Sequence, residues 1–142
     1  MKKDCKLCAL INEDHFNPTR IAKLDTGIAF VNFDQTYLGR SMLIINPHYD
    51  SLLDIPPILT QKFMEDVKTL AKAINKVFQP PTINYLMLGN TVLHAHCHII
   101  PRYPDAPRWR LSPLLPSSAE YTMQTNDFYS DIAKKISLAL RV

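Results

Sequence analysis

Little in this 142-residue chain points outward from its own fold. It has only three cysteines, an odd number that suits neither an even disulfide framework nor a secreted, disulfide-stapled scaffold. A net charge of +3 is too weak to argue by itself for nucleic acid or a membrane surface. No apolar run is long enough for a transmembrane helix, and no h-region follows the basic start of the chain, so a cytoplasmic protein is expected. Repeats, low-complexity tracts and linkers are also missing. What remains is 46% hydrophobic and 20% charged, the composition of a globular domain large enough to build a core without staples.

The chain reads as one domain over residues 1–142. Gly27 to Asn32 and Arg40 to Asn46 are short apolar, β-branched runs separated by a turn, and read as two strands. Asp54 with Pro56 and Pro57 marks a helix entry, because proline is tolerated in a first turn. Phe63, Val67, Leu70, Ala71, Ile74, Val77 and Phe78 then recur at helical spacing until Pro80-Pro81. Ile83 to Leu88 reads as a strand, broken by Gly89-Asn90-Thr91 before a further one. Five prolines between Pro101 and Ser118 predict a long irregular connection. A last helix is expected from Asn126 as N-cap, with Phe128, Ile132, Ile136 and Leu140 on one face. Short connections between consecutive strands favour antiparallel pairing, giving an α+β fold with helices on one face of the sheet.

The densest chemistry is His94-Ala95-His96-Cys97-His98-Ile99-Ile100, three of five histidines at alternate positions. On an extended strand His94, His96 and His98 share one face, while Ala95, Cys97 and Ile99 take the other. A row of imidazoles builds a poor core but a good site for metal, phosphate or proton transfer. Cys97, on the opposite face, is expected in the core. Cys5-Lys6-Leu7-Cys8 stands apart. Such a pair is a redox couple, half of a zinc site, or a chance spacing, and no βαβ pattern supports the first.

With its surroundings, the histidine row resembles the His-φ-His-φ-His-φ-φ signature of the histidine-triad family, which binds nucleotides and cleaves or transfers at their α-phosphate. Ala29-Phe30-Val31-Asn32, Gly39 and His48 with Ser51-Leu52-Leu53-Asp54 match the family's first half, and the likeness runs from about Cys5 to Arg102, leaving 103–142 as a C-terminal loop and helix. It implies an antiparallel sheet of about five strands with a long central helix and a C-terminal helix. It also implies that His96 attacks the α-phosphate to form a nucleotidyl-histidine intermediate, with the carbonyl of His94 fixing its tautomer and His98 donating to a phosphate oxygen. By the same resemblance Asn32 meets the ribose hydroxyls, and Asn90 and Thr91 phosphate or ribose. Leu7, Leu10 and Phe30 match positions lining the base pocket, with ordinary core packing as the alternative. Trp109, between Arg108 and Arg110, is a candidate for stacking on a base, or merely part of a solvent-facing loop.

Relatives with an N-terminal Cys-x-x-Cys, among them galactose phosphate uridylyltransferases, complete a structural Zn²⁺ site with two histidines. The corresponding set here is Cys5, Cys8, His48 and His94. A homodimer is implied by resemblance alone, and His15 falls outside every matched segment. Departures from the family pattern are Gly39-Arg40 where many relatives have Gly-His, Ile45-Asn46 where Pro-Lys is usual ahead of His48, and Leu88-Gly89-Asn90 in place of an Ala-Gly-Gln element. The segment around Asn32 and Gly39 to Leu43 is most like the dinucleoside polyphosphate hydrolases. A nucleoside phosphoramidase, a nucleotidyl transferase, a non-catalytic nucleotide-binding domain and a catalytic metal held by all three histidines are the other readings.

Overall fold

The computed structural model describes residues 2–13 and 15–141. A five-stranded, wholly antiparallel sheet runs in the order β1-β2-β3-β5-β4, from β1 (Arg20–Lys23), β2 (Gly27–Val31), β3 (Ser41–Ile45), β4 (Thr82–Leu86) and β5 (His96–Arg102). Three helices complete it: α1 (Lys6–Ile11), α2 (Pro57–Phe78) and α3 (Asn126–Leu140).

Alternation along the central strands divides the sheet into two faces. Ala29, Val31, Leu43, Ile45, Cys97 and Ile99 point to one face, where the apolar stripes of α2 and α3 cover them in the main core. Ile28, Phe30, Met42 and Ile44 point to the other, with Ile11, Leu7 and Leu10 of α1 packed on them. Helices on one face only is therefore corrected: α1 lies on the second. His96 is paired with Ile44 and His98 with Met42 across β3 and β5, so these two imidazoles also belong to the α1 face. The same register gives Cys97 to the core, where burial pushes its thiol up to about 11.

Several boundaries move for local reasons. The Ser51–Asp54 capping box closes a separate 3₁₀ turn, Leu52–Asp54, and α2 begins only at Pro57, with no side-chain cap. The cap of α3 is Thr125, whose hydroxyl accepts from the Phe128 N–H, one residue before the expected Asn126. The strand expected over Ile83 to Leu88 is Thr82–Leu86. Neither α1 nor β1 was expected as an element. At six and four residues they are too short for a periodic signal, and both gain their order from the sheet.

Gly27 is required by close approach. A Cβ there would lie 2.1 Å from the Ile44 carbonyl oxygen, a backbone atom that cannot turn aside. Gly27→Ala is therefore expected to cost about 1–3 kcal/mol or more. The check is the urea midpoint, and an unchanged midpoint would refute the contact.

Candidate active site and metal centre

Two sites meet at the start of β5, and His94 belongs to both. β5 begins at His96, and residues 90–94 form a succession of bends ahead of it. The expected common row of three imidazoles is thus corrected to two. His96 and His98 lie side by side with ring centroids 4.9 Å apart and Nε2 atoms 3.2 Å apart. The His94 ring leaves that row, because the bend releases it from strand alternation, and packs edge-on to His48 at 4.3 Å.

Cys5 caps the N-terminus of α1, where its Sγ accepts from the Cys8 N–H at 3.3 Å. One turn of helix separates the two thiols, which places them on the same side. His48, beyond the end of β3, and His94 close the cluster. Its four ligand atoms all lie within 4.8 Å of one another. Cys5 Sγ is 3.3 Å from His94 Nδ1, Cys8 Sγ is 3.2 Å from His48 Nδ1 and 3.6 Å from His94 Nδ1, and the two Nδ1 atoms are 3.1 Å apart. A tetrahedral zinc with bonds of about 2.3 Å to sulfur and 2.0–2.1 Å to nitrogen puts neighbouring ligand atoms roughly 3.3–3.8 Å apart, so the cluster has close to the right size.

Hydrogen bonding around the cluster gives an independent test. His48 Nε2–H donates to Asp50 Oδ1 at 2.7 Å, and His94 Nε2–H donates to the Ile45 carbonyl at 2.7 Å. With Nε2 carrying the proton, each ring in its neutral form turns an Nδ1 lone pair into the cluster, and two such lone pairs at 3.1 Å repel unless a cation stands between them. Carboxylate and carbonyl partners of this kind orient metal-bound histidines. Burial raises the Cys8 thiol, so a thiolate there also needs a neighbouring cation. The donor set fits zinc: Cys5, Cys8, His48 and His94 would hold it in a closed, structural four-ligand site.

His96 is oriented from behind. Its Nδ1 donates to the His94 carbonyl at 2.6 Å, which can only accept, so Nε2 keeps its lone pair. Burial lowers the pKa of His96 and of His94. That of His98 is pushed furthest, from 6.5 to about 3, first by burial and then by the charges of Arg40 and His96. Folded His98 thus takes a proton only near pH 3, whereas the unfolded chain takes it near 6.5. The unfolded state binds more protons in that window, so stability falls as pH drops through it. His98→Gln is expected to lose less of its urea midpoint than the wild type between about pH 7 and about pH 4. Parallel curves would assign the acid sensitivity to other groups.

The remaining sequence candidates fall in three places. Phe30 is fully buried, and Leu7 and Leu10 are half-buried beside it in the apolar cluster under α1. Asn32 directly follows β2, and its Oδ1 accepts from the Asp34 N–H at 2.9 Å. Asn90 and Thr91 are exposed in the bend ahead of β5; Thr91 borders a cavity of about 220 Å³ shared with Lys2, Cys5 and Lys6. Trp109 is half-buried in a turn, and among the described residues no hydrogen bond or ring contact joins it to His96 or His98. Its neighbourhood is set by Arg102, which is buried, stacks over the Tyr37 ring at 5.0 Å, and donates to Asn84 and to the carbonyls of Arg108 and Leu111. Arg102 is thus a staple for the proline-rich loop. His15 is exposed.

Sequence reasoning passed over two groups as parts of the site. Asp50 orients His48, and its carboxylate is held below the ordinary range by bonds from His48 and Lys2. Its position two residues after a candidate ligand was the available signal. Arg40 was visible only as a departure from a pattern, yet its Nη2 lies 3.4 Å from His98 Nδ1.

Comparison with known proteins identifies the family and the fold. Residues 16–105 match the HIT domain model. The chain belongs to the HIT family. This HIT protein is 27% identical over 106 residues to Protein hit of Bacillus subtilis, covering 71% of this chain and 72% of that one. It is 22% identical over 142 residues to the adenylylsulfatase HINT3 of Arabidopsis thaliana, covering 96% and 71%. Among solved structures it resembles a Hit-like protein involved in cell-cycle regulation from Bartonella henselae (TM-score 0.78, 25% identity, 98% of both chains). A zinc-bound histidine triad family protein from Mycobacterium smegmatis shares the fold (TM-score 0.72, 17% identity, 97% and 94%). The HIT match begins beyond Cys5 and Cys8, so the metal cluster joins family-matched histidines to an N-terminal helix outside the matched span. No described helix of this HIT protein is long and apolar enough to cross a membrane.

Proposed function

We propose that this HIT protein hydrolyses a nucleotide conjugate at its α-phosphate through a covalent nucleotidyl-His96 intermediate. The observation that carries this reading is the ring of His96, tied at Nδ1 to the His94 carbonyl with its Nε2 on the half-buried face beside His98. The Nε2 lone pair attacks phosphorus in line, and the bond from phosphorus to the leaving-group oxygen or nitrogen breaks with its electron pair. Water then attacks the same phosphorus, the P–N bond breaks, and the pair returns to Nε2. The water proton leaves with the products, so one bond to the α-phosphate is hydrolysed overall. His98 donates to a phosphate oxygen, a kind of contact worth about 10²–10³ in rate.

The substrate face then runs from His96 and His98 across to Asn32, whose side-chain amide nitrogen is available to a ribose hydroxyl once its oxygen is engaged by Asp34. Phe30, Leu7 and Leu10 supply an apolar wall for the base, Asn90 and Thr91 contact phosphate or ribose, and Trp109 stacks at the open side. Asn32→Ala is expected to raise KM about tenfold with a smaller change in kcat, as for loss of uniform binding. A fall in kcat alone would remove Asn32 from ribose binding. Zinc is structural, held by Cys5, Cys8, His48 and His94. With the His94 ring turned into that cluster, the three triad imidazoles do not converge on one catalytic metal.

Dinucleoside polyphosphates are the leading substrate class, on the likeness around Asn32 and Gly39 to Leu43. Adenylyl sulfate, the substrate class named for the Arabidopsis relative, is the second. A panel of diadenosine polyphosphates, adenylyl sulfate and adenosine phosphoramidate separates hydrolase from phosphoramidase, and inclusion of a second phosphate acceptor detects transfer. Absence of turnover on every member, with nucleotide still bound, would favour a binding domain. A homodimer is expected by resemblance, with β4 as one exposed edge of the sheet, and sedimentation equilibrium measures it directly.

A further inference from the structure

Arg40 is an unexpected residue to bury. It is 5% exposed, and its partner Asp34 is fully buried, with a distance of 2.9 Å from Nη1 to Oδ2. A buried ion pair of this kind returns little net stability, because taking both charges out of water is costly. The pair is nevertheless held firmly. Asp34 Oδ1 accepts from the Thr36 N–H and hydroxyl and from the Thr122 N–H, which fixes the carboxylate and through it the guanidinium. Arg40 Nε is buried with no partner, so the side-chain contacts of the guanidinium run through its two Nη atoms, Nη1 to Asp34 and Nη2 to His98. It is placed so that Nη2 faces His98 Nδ1 at 3.4 Å.

Donor and acceptor chemistry makes that contact directional. A guanidinium has only donors, so the ring atom facing it must be an acceptor, and the proton of neutral His98 is forced onto Nε2. That Nε2–H points at His96 Nε2, 3.2 Å away, whose own proton is on Nδ1 because the His94 carbonyl accepts it. An obligate donor at one end and an obligate acceptor at the other leave only one orientation for the row Arg40, His98, His96, His94.

We propose that Arg40, clamped by Asp34, is a positioning residue that locks His98 as the Nε2–H tautomer, so that His98 presents a donor, never a lone pair, to whatever occupies the space before His96. In the free protein that donor rests on the lone pair of His96. When a phosphate enters, the N–H turns to a phosphate oxygen and the lone pair becomes free to attack. A lysine at position 40 keeps the charge but loses the planar fork that spans Asp34 and His98 together. The consequence for turnover rests on the nucleotidyl-His96 reading; the tautomer itself does not.

The test is the long-range ¹H–¹⁵N correlation spectrum of the His98 ring in the protein as purified, with His98→Gln used to assign it. The expected result is a protonated Nε2 and a bare Nδ1 in the wild type, and a shift toward the other tautomer in Arg40→Met. Protonated Nδ1 in the wild type, or a tautomer unchanged in Arg40→Met, would overturn the proposal. If Arg40→Met does not fold, the wild-type spectrum alone decides. Arg40→Met and Arg40→Lys are both expected to lose about 10–100-fold in kcat on a substrate that the wild type turns over, with KM changed much less, and Arg40→Lys to lose the smaller part. Full kcat in Arg40→Met despite a shifted tautomer would also overturn it. An unaltered His96→Ala, by contrast, would remove the nucleotidyl-His96 reading and leave the tautomer assignment of His98 standing.

Discussion

His96→Ala is expected to lose turnover of any substrate the wild type hydrolyses by about 10⁴–10⁶, the scale on which removal of a covalent nucleophile acts. No other described group is placed to substitute for it. His98 Nε2 carries a proton when Nδ1 accepts from Arg40, and the His94 ring faces Cys5 and Cys8. His96 Nε2 is the imidazole nitrogen that combines a lone pair with a place on the open face. Binding of a non-hydrolysable nucleotide is expected to stay within a few-fold, because the ring is lost at the reacting centre and not at the base or ribose contacts. Two measurements check this: quenched single-turnover mass spectrometry, in which only the wild type gains the mass of a nucleotidyl group, and calorimetric titration of nucleotide. An adduct that persists in His96→Ala would place the nucleophile elsewhere.

Replacing Cys5 and Cys8 together by serine is expected to release zinc and to destabilise the fold by several kcal/mol, on the order that a structural zinc contributes to a small domain. Loss of the cation leaves the Nδ1 lone pairs of His48 and His94 facing each other at 3.1 Å inside a buried cluster, so the segment of residues 90–94 has to reorganise. The same segment presents the His94 carbonyl that orients His96. Turnover is therefore expected to fall as well, through kcat more than KM, although zinc lies outside the reacting groups. Metal analysis of both proteins, thermal unfolding with and without a chelator, and kinetics on one substrate test the whole chain of cause. Wild-type protein purified without zinc, or equal stability in the serine variant, would sink it. Cys97→Ser serves as a control: its thiol sits in the main core away from the cluster, so any effect is on packing and not on metal content.

The strands flanking the turn at Asn32 to Gly39, the stripe of α2 and the face of α3 were legible because each is long enough, or apolar enough, for periodicity to show. α1 and β1 were not, being short pieces whose order comes from packing on Phe30 and on β2. Among the site residues, His96 and His98 could be placed on a common face by strand alternation alone. His94 could not, since alternation holds only within a strand and β5 starts two residues later. Arg40 and Asp34 lie six residues apart and carry no spacing rule of their own. Only the pairing of β3 with β5 brings Arg40 beside His98.

By itself the sequence determined the antiparallel α+β class and the shared strand of His96 and His98, and its resemblance to the histidine-triad family implied the Cys5, Cys8, His48 and His94 set. The first two follow from local periodicity and short connections, the last from the family's motif. Only the tertiary structure decided where the His94 ring points and what holds His98. A bend before β5 sends the His94 ring into the metal cluster while its carbonyl stays behind to hold His96, and a buried arginine just ahead of the neighbouring strand β3 fixes His98. Imidazole has two nitrogens and two tautomers, and which one is used depends on the partner that the fold places against the other.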